Sequence, residues 1–369
     1  MIWTQYGLSV LEVVISLTLG LLLVGAAFKL LESGERAYST QQAVADIQDR
    51  AILSLAYVAT EIRRSHRALA VSIQDQPIYA GLLLNAHAEQ HTAQAAQPKV
   101  VQTRSFMTAV AMEQTSTFAL KSMQPSAREQ GVAAAISVAS NAQAHYPAQL
   151  QGILPITVTA GGPSHLRDTQ TGKALASDQL VIQFYAEEAG IDCEGHQYQA
   201  GQFVVERFFL RPDALNQQAK QQTVLALACE AGGYDQQATR ILKNPMQAGQ
   251  AFGQGLGAVM IPQVEHFKLM FAIADEQRRQ GLAYISSQEY QALPQRPRPA
   301  IYAVQLGILL GSNHPITASH NDSPQFQILQ QAVQLLAPSN AQQGQQYLYH
   351  VLEHSVALEP GLVVIEEKS

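Results

Sequence analysis

After Gly7 the chain runs for 21 residues, Leu8 to Phe28, with a single charge, Glu12. As a helix this stretch spans about 30 Å, the thickness of a bilayer's hydrocarbon core. The pattern then becomes amphipathic. Val44, Ile47, Ala51, Leu55, Val58 and Ile62 step by three and four residues, so one face of a helix is apolar. Asp46, Asp49, Arg50, Glu61, Arg63 and Arg64 fall between them, and only Gly34 interrupts the run from Phe28 to Leu69, which has no proline. The spacing predicts one helix from Leu8 to about Arg64, roughly 85 Å long. Its first half suits lipid or a filament core, and its second half suits a globular head.

Past that helix the period changes. Residues 85–151 are dominated by Ala, Gln, Ser and Thr, with short apolar islands at Phe106–Met112 and Thr117–Leu120. This composition predicts a peripheral, loop-rich insertion. Strand signals follow. Ile153–Thr159 alternates and Gly161-Gly162-Pro163 breaks it. Asp178–Ala186, Phe203–Leu210, Thr223–Cys229, Val259–Pro262, Val264–Ile273, Ala300–Gly311 and Leu348–Leu358 are rich in β-branched or aromatic residues. Ser286 to Glu289 has the form of a helix-capping box. Phe326, Leu329, Val333 and Leu336 step by 3, 4 and 3, which predicts a late helix. One long helix followed by strands is an α+β chain with a β-rich head.

Composition narrows the function. Only 14% of the 369 residues are charged, against about 25% in ordinary soluble domains, and the net charge is −6. Lys and Arg form no run, so direct nucleic-acid binding is not expected. The two cysteines, Cys193 and Cys229, lie beyond the apolar helix. In an oxidising compartment an even count favours one disulfide over two separate buried thiols. Such a bond would close a loop of about 37 residues, worth roughly 4 kcal/mol in the chain-entropy model.

Catalytic motifs are sparse. His350-Val-Leu-Glu353-His354 matches the inverted zinc-protease pattern. Its flanks alternate like a strand, however, and residues four apart on a strand are about 13 Å apart, too far to share a zinc. His87 and His91 repeat the spacing with no third ligand. Gly249–Gly257 lacks the Lys-Ser/Thr of a phosphate loop and precedes a strand, so it reads as a turn. No Gly-x-Ser-x-Gly elbow is present, and Cys193 sits between Asp192 and Glu194, a poor setting for a reactive thiolate. No catalytic, cofactor or metal residues are assigned, and the chain does not read as an enzyme. An envelope metalloenzyme using His350 and His354 is the remote alternative.

Gly7 followed by an apolar helix with Glu12 resembles the prepilin signal of type IV pilins. In that signal cleavage follows a Gly and the fifth mature residue is Glu. The order strand, Asp192-Cys-Glu-Gly turn, strand, then Cys229 is similar to the minor pilins of the PilW family, relatives of the GspJ pseudopilins of type II secretion. The resemblance implies a pilin-like fold with a leader at 1–7, a membrane-spanning or filament-core helix at 8–28, its amphipathic continuation at 29–69 and a head at 70–369. It implies cleavage between Gly7 and Leu8, N-methylation of Leu8, an assembly role for Glu12, and a Cys193–Cys229 bridge. The partners it implies are prepilin peptidase, other minor pilins, the major pilin, an inner-membrane assembly platform and a PilY-type tip adhesin. The location it implies is the inner membrane with a periplasmic head, then the pilus, at its tip. The function it implies is initiating or capping pilus assembly, with a GspJ-like role in secretion as the alternative. No cofactor is implied.

Overall fold

A computed structural model describes residues 9–67, 81–84, 143–144, 150, 156–214, 223–235, 240–244, 252–253, 255–275, 281–294, 299, 301–316, 324–336 and 346–358. Most of the insertion at 85–151, including His87, His91 and both apolar islands, lies outside these residues.

The elements in chain order are helix α1 (Val10–Arg67) and strands β1 (Gly81–Leu83), β2 (Gln143–Ala144), β3 (Val158–Gly162), β4 (Leu166–Asp168), β5 (Ser177–Tyr185), β6 (Gly190–Ile191), β7 (Gln197–Tyr198), β8 (Phe203–Pro212), β9 (Leu225–Tyr234), β10 (Ala258–Pro262), β11 (Val264–Asp275) and β12 (Gly281–Ile285). Helix α2 (Ser287–Ala292), β13 (Ile301–Ile316), β14 (Gln325–Ile328), β15 (Gln331–Leu335) and β16 (Gln346–Ala357) complete them. The long helix and β-rich head are therefore observed.

Of the four sheets among the described residues, two larger ones build the body of the head, beside the smaller β14-β15-β4 and β6-β7 sheets. One has the order β10-β9-β8-β5-β1-β2, with β3 also on β5, and its pairs are antiparallel except β1–β2. The other is the antiparallel sheet β12-β11-β13-β16. The chain passes from one to the other at a corner, β10 running into β11 through Gln263 at φ 60°.

The main core lies where α1 meets both sheets. Ile47, Ala51, Leu55, Val58, Ala59 and Ile62 of the helix pack with Leu180, Ile182, Phe208 and Cys229 of one sheet and Phe267, Leu306, Ile308 and Leu310 of the other. The helical stripe is thus the expected one, save at its start. Ala43 is buried, whereas Val44 is 38% exposed.

Two local expectations are corrected. The segment from Phe326 to Leu336 is a hairpin, β14 against β15, with Leu329 at φ 52° in the turn. Its apolar side chains, Phe326, Ile328, Val333 and Leu335, form a small core with Leu309, Tyr349 and Val351. That layer covers the face of β13 and β16 away from α1, and alternation served it better than a helical stripe. A Cβ on Gly307 would meet Ile328 at 2.8 Å, so only glycine lets the hairpin lie this close. The second correction concerns Gly161-Gly162, which continue β3 rather than ending it. The register shifts between Val158 and Gly162, with Ala160 at φ 62° and its N–H on Asp178 Oδ1. This is bulge geometry, which glycine accommodates readily. The capping box at α2 is present: Ser286 accepts from the Glu289 N–H while Glu289 accepts from the Ser286 N–H.

Candidate functional site

The features that matter lie along α1 and where it joins the head. From Val10 to Leu31 the helix projects with its apolar side chains bare; Val10, Leu22, Leu23 and Leu30 are each at least 70% exposed. It is long and apolar enough to cross a membrane. The carbonyl of Ser9 accepts the N–H groups of Glu12 and Val13 at 3.0 and 3.2 Å, opening the first turn. Glu12 sits in that turn, where the helix dipole favours a carboxylate. Gly7 and Leu8 lie outside the described residues. The apolar stretch ends at an exposed polar ladder, where Glu32 pairs with Lys29 at 3.0 Å and with Arg36 at 2.6 Å.

Lower down, polar residues tie the helix to the head. Arg50 pairs with Asp46 at 2.7 Å and donates to the carbonyls of Pro262 and Gly311, both at 3.2 Å. Asp46 accepts in turn from the Asn313 side chain at 3.1 Å. One turn from the helix end, Arg64 lies 4.2 Å above the Phe184 ring and 5.2 Å from that of Tyr198, and it hydrogen-bonds the Tyr198 hydroxyl. These cation–π contacts hold the guanidinium at the rim of the joint.

Beside Arg64 two acids are buried. Glu61 of α1 is 6% exposed and Glu206 of β8 is wholly buried. Burial pushes the Glu206 carboxyl well above the usual glutamate range, and the nearby Glu61 charge adds to this. Glu61 is raised by burial too, with Arg64 opposing. Glu206 Oε1 accepts the Cys193 N–H at 3.0 Å, while its Oε2 has no hydrogen-bond partner.

Cys193 and Cys229 are bonded, with Cα atoms 6.1 Å apart. The bond fastens the 192–195 turn to β9. Around it, Asp192 accepts the amides of Glu194 and His196 through one oxygen, and the Asn244 side chain through the other. On the opposite face Glu230 pairs with Arg207 at 2.6 Å and accepts the N–H groups of Gly253 and Gly255. A Cβ on Gly257 would fall 2.4 Å from the Cys229 carbonyl, so this glycine, at φ 65°, allows the loop to close over β9. Residues 252–257 therefore act as a close-fitting turn where they are described. Cys193, Cys229 and Glu206 would be a three-ligand group by proximity, but the bonded sulfurs leave only the carboxylate to ligate.

His350 and His354 lie on β16, opposite Leu310 and Leu306 of β13. Glu353 accepts the N–H of Leu329, which ties it to the β14–β15 turn rather than to a histidine pair. Sequence reasoning missed Glu61, Glu206 and Arg64. The one available signal was a glutamate inside the apolar strand Phe203–Leu210, whose facing partners only the strand register reveals.

Comparison with known proteins bears on this arrangement. Residues 234–359, from the end of β9 through β16, match the family model PilW, described as Type IV Pilus-assembly protein W. A type IV-like pilin from Thermus thermophilus aligns at 16% identity, covering 55% of this chain and 85% of its own, with a TM-score of 0.25. That score is too low to bear on fold or function. No curated protein matches the chain. The resemblance visible in the sequence is thus supported over residues 234–359, the stretch that is similar to the PilW family of type IV pilus-assembly proteins.

Proposed function

We propose that this chain is a minor pilin that helps to initiate or cap a type IV pilus. The observation that carries the reading is the bare apolar helix with one carboxylate, Glu12, on a chain whose residues 234–359 match the PilW family model. A membrane, or the core of a filament, is the surrounding in which 19 residues of exposed apolar helix, 10–28, are stable.

In this proposal residues 1–7 are a leader removed by prepilin peptidase, which then methylates the amine of Leu8. The new amine of a neighbouring subunit meets Glu12. An unpaired carboxylate among apolar helices costs several kcal/mol, so the pairing selects the register in which a subunit enters the filament. Residues 8–28 remain in the inner membrane until assembly, and the head, at about 70–369, is periplasmic. The partners are other minor pilins, the major pilin, the assembly platform and a PilY-type adhesin, and the finished position is the pilus tip. The head acts as a structural body, without an active site.

Glu12→Val tests the reading. The variant is expected to stay in the membrane at normal abundance and to be missing from sheared pili, by immunoblot of both fractions. Normal incorporation would sink the proposal. Mass spectrometry of the native amino terminus supplies the other check, with a methylated Leu8 expected and an intact Met1 contradicting it.

A further inference from the structure

Glu206 is an odd residue to bury. It lies on β8 facing the core, and the register sets it opposite Ala231, with Phe208 opposite Cys229. Residues two apart share a face, so Glu206 and Cys229 are diagonal neighbours on the side of the sheet that meets α1. A carboxylate oxygen of Glu206 and the sulfurs of Cys193 and Cys229 all lie within 4.8 Å of one another. The ionisable groups around it are Tyr57, Glu61 and Arg64 on α1, Asp192 in the disulfide turn and Tyr198 on β7. Arg64 is the cation of that set; it hydrogen-bonds Tyr198 and, among the acids, pairs with Glu61 at 3.6 Å, with its own side chain 37% exposed. Two further acids and one cation leave little to stabilise a charged Glu206, so the carboxyl holds its proton beside the disulfide.

That proton has a chemical use. Thiol–disulfide exchange expels one sulfur as a thiolate, and an apolar interior stabilises a thiolate poorly. Cys229 is completely buried, whereas Cys193 is only half-buried in its turn. Cys193 is thus the nearer of the two to solvent and the one an external thiolate would attack, with Cys229 the sulfur that leaves. We propose that Glu206 is the proton donor and acceptor for opening and closing the Cys193–Cys229 bond within the folded head, with an external dithiol or its disulfide as co-reactant.

The steps balance. The dithiol's thiolate attacks Cys193 Sγ, a mixed disulfide forms, and the electron pair of the broken bond goes to Cys229 Sγ. Glu206 gives its proton to that sulfur and becomes a carboxylate. The dithiol's second thiolate then attacks its own sulfur in the mixed disulfide and releases the Cys193 thiolate, which takes a proton from water. The protein disulfide has gained two electrons and the dithiol has become a disulfide. Closing reverses each step, and Glu206 recovers the proton from the Cys229 thiol as that sulfur attacks.

Opening by dithiothreitol tests this on the oxidised full chain in detergent micelles, followed by alkylation and mass spectrometry. Glu206→Gln keeps the shape and hydrogen-bonding capacity but cannot transfer a proton. It is expected to slow opening of the folded protein on the order of 10²-fold, and to leave the rate in urea unchanged. A merely structural role predicts the opposite sign, because a loosened joint exposes the bond and speeds its reduction. An unchanged or faster rate for the folded variant overturns the proposal. The unmutated chain provides a second measurement. Its opening rate per unit of thiolate reductant should fall as rising pH removes the Glu206 proton, and a flat profile in the folded state overturns the proposal equally.

Discussion

The two halves of α1 have the same backbone and opposite surroundings. From Val10 to Leu31 every apolar residue is bare, while from Ala43 to Ser65 one face is sealed against two sheets. The upper half has an apolar surface all round as far as Phe28, with one acid near its start and Lys29 near its end. The lower half alternates Ala, Ile, Leu and Val with Arg, Asp and Glu, and several of those charged groups are enlisted at the joint. A single helix thus serves two solvents. Its lower half gains stability from this chain's own head, and its upper half must find its packing elsewhere, as an all-round apolar helix requires.

Substitution at matched isoleucines gives the sharpest contrast. Ile62→Ala, at a site with no exposure, is expected to cost about 2–5 kcal/mol in urea unfolding of the full chain in micelles. Ile52→Ala, 61% exposed on the same helix, should stay within about 0.5 kcal/mol. Equal losses would dissolve the distinction between the faces of the lower half.

A pH titration of stability probes the joint and should give a smaller effect. Glu206 and Glu61 both have carboxyls raised in the folded state by burial. The folded protein then holds protons that the unfolded chain releases. Their contribution is complete below the ordinary glutamate range and is lost as pH rises through the raised values. The unfolding midpoint should therefore fall as pH rises above the ordinary glutamate range. Glu206→Gln should flatten that slope, and an unaltered slope would remove the acid pair from the account.

The smallest effect is expected at the upper ladder. Glu32→Gln breaks exposed pairs with Lys29 and Arg36 and should leave the unfolding midpoint unchanged within error. A clear shift would mean that the projecting half is coupled to the head after all.

How much of this the sequence disclosed follows from how many faces each segment covers. The α1 stripe has one buried face, so its period was legible, and only the Ala43 for Val44 exchange escaped it. Strands β5, β8, β9, β11, β13 and β16 announced themselves by composition. The β14–β15 hairpin did not, because the segment holds two apolar sets at once, Phe326, Leu329, Val333 and Leu336 at helical steps and Phe326 with Ile328 and Val333 with Leu335 at strand steps, and the turn at Leu329 contains neither Gly nor Asn. Glu206 was hidden for a different reason. Strand β8 is covered on both sides, by the α1 core and by the Arg207–Glu230 network, so alternation along it does not say which way a glutamate faces. The Cys193–Cys229 pairing was suggested by cysteine count and motif order. Its acidic neighbour belongs to the register of β8 on β9, which no local pattern encodes.

The contacts of Arg50 have a mechanical meaning. Its guanidinium holds the carbonyl of Pro262, at the end of β10, and that of Gly311, on β13, while Asp46 beside it grips Asn313. Pro262 is the residue just before the corner at Gln263 where the chain changes sheets. Tension drawn along α1 would therefore enter both sheets together through two adjacent turns of helix. It would pull across short polar contacts held in parallel, so that they share the strain before any one of them gives.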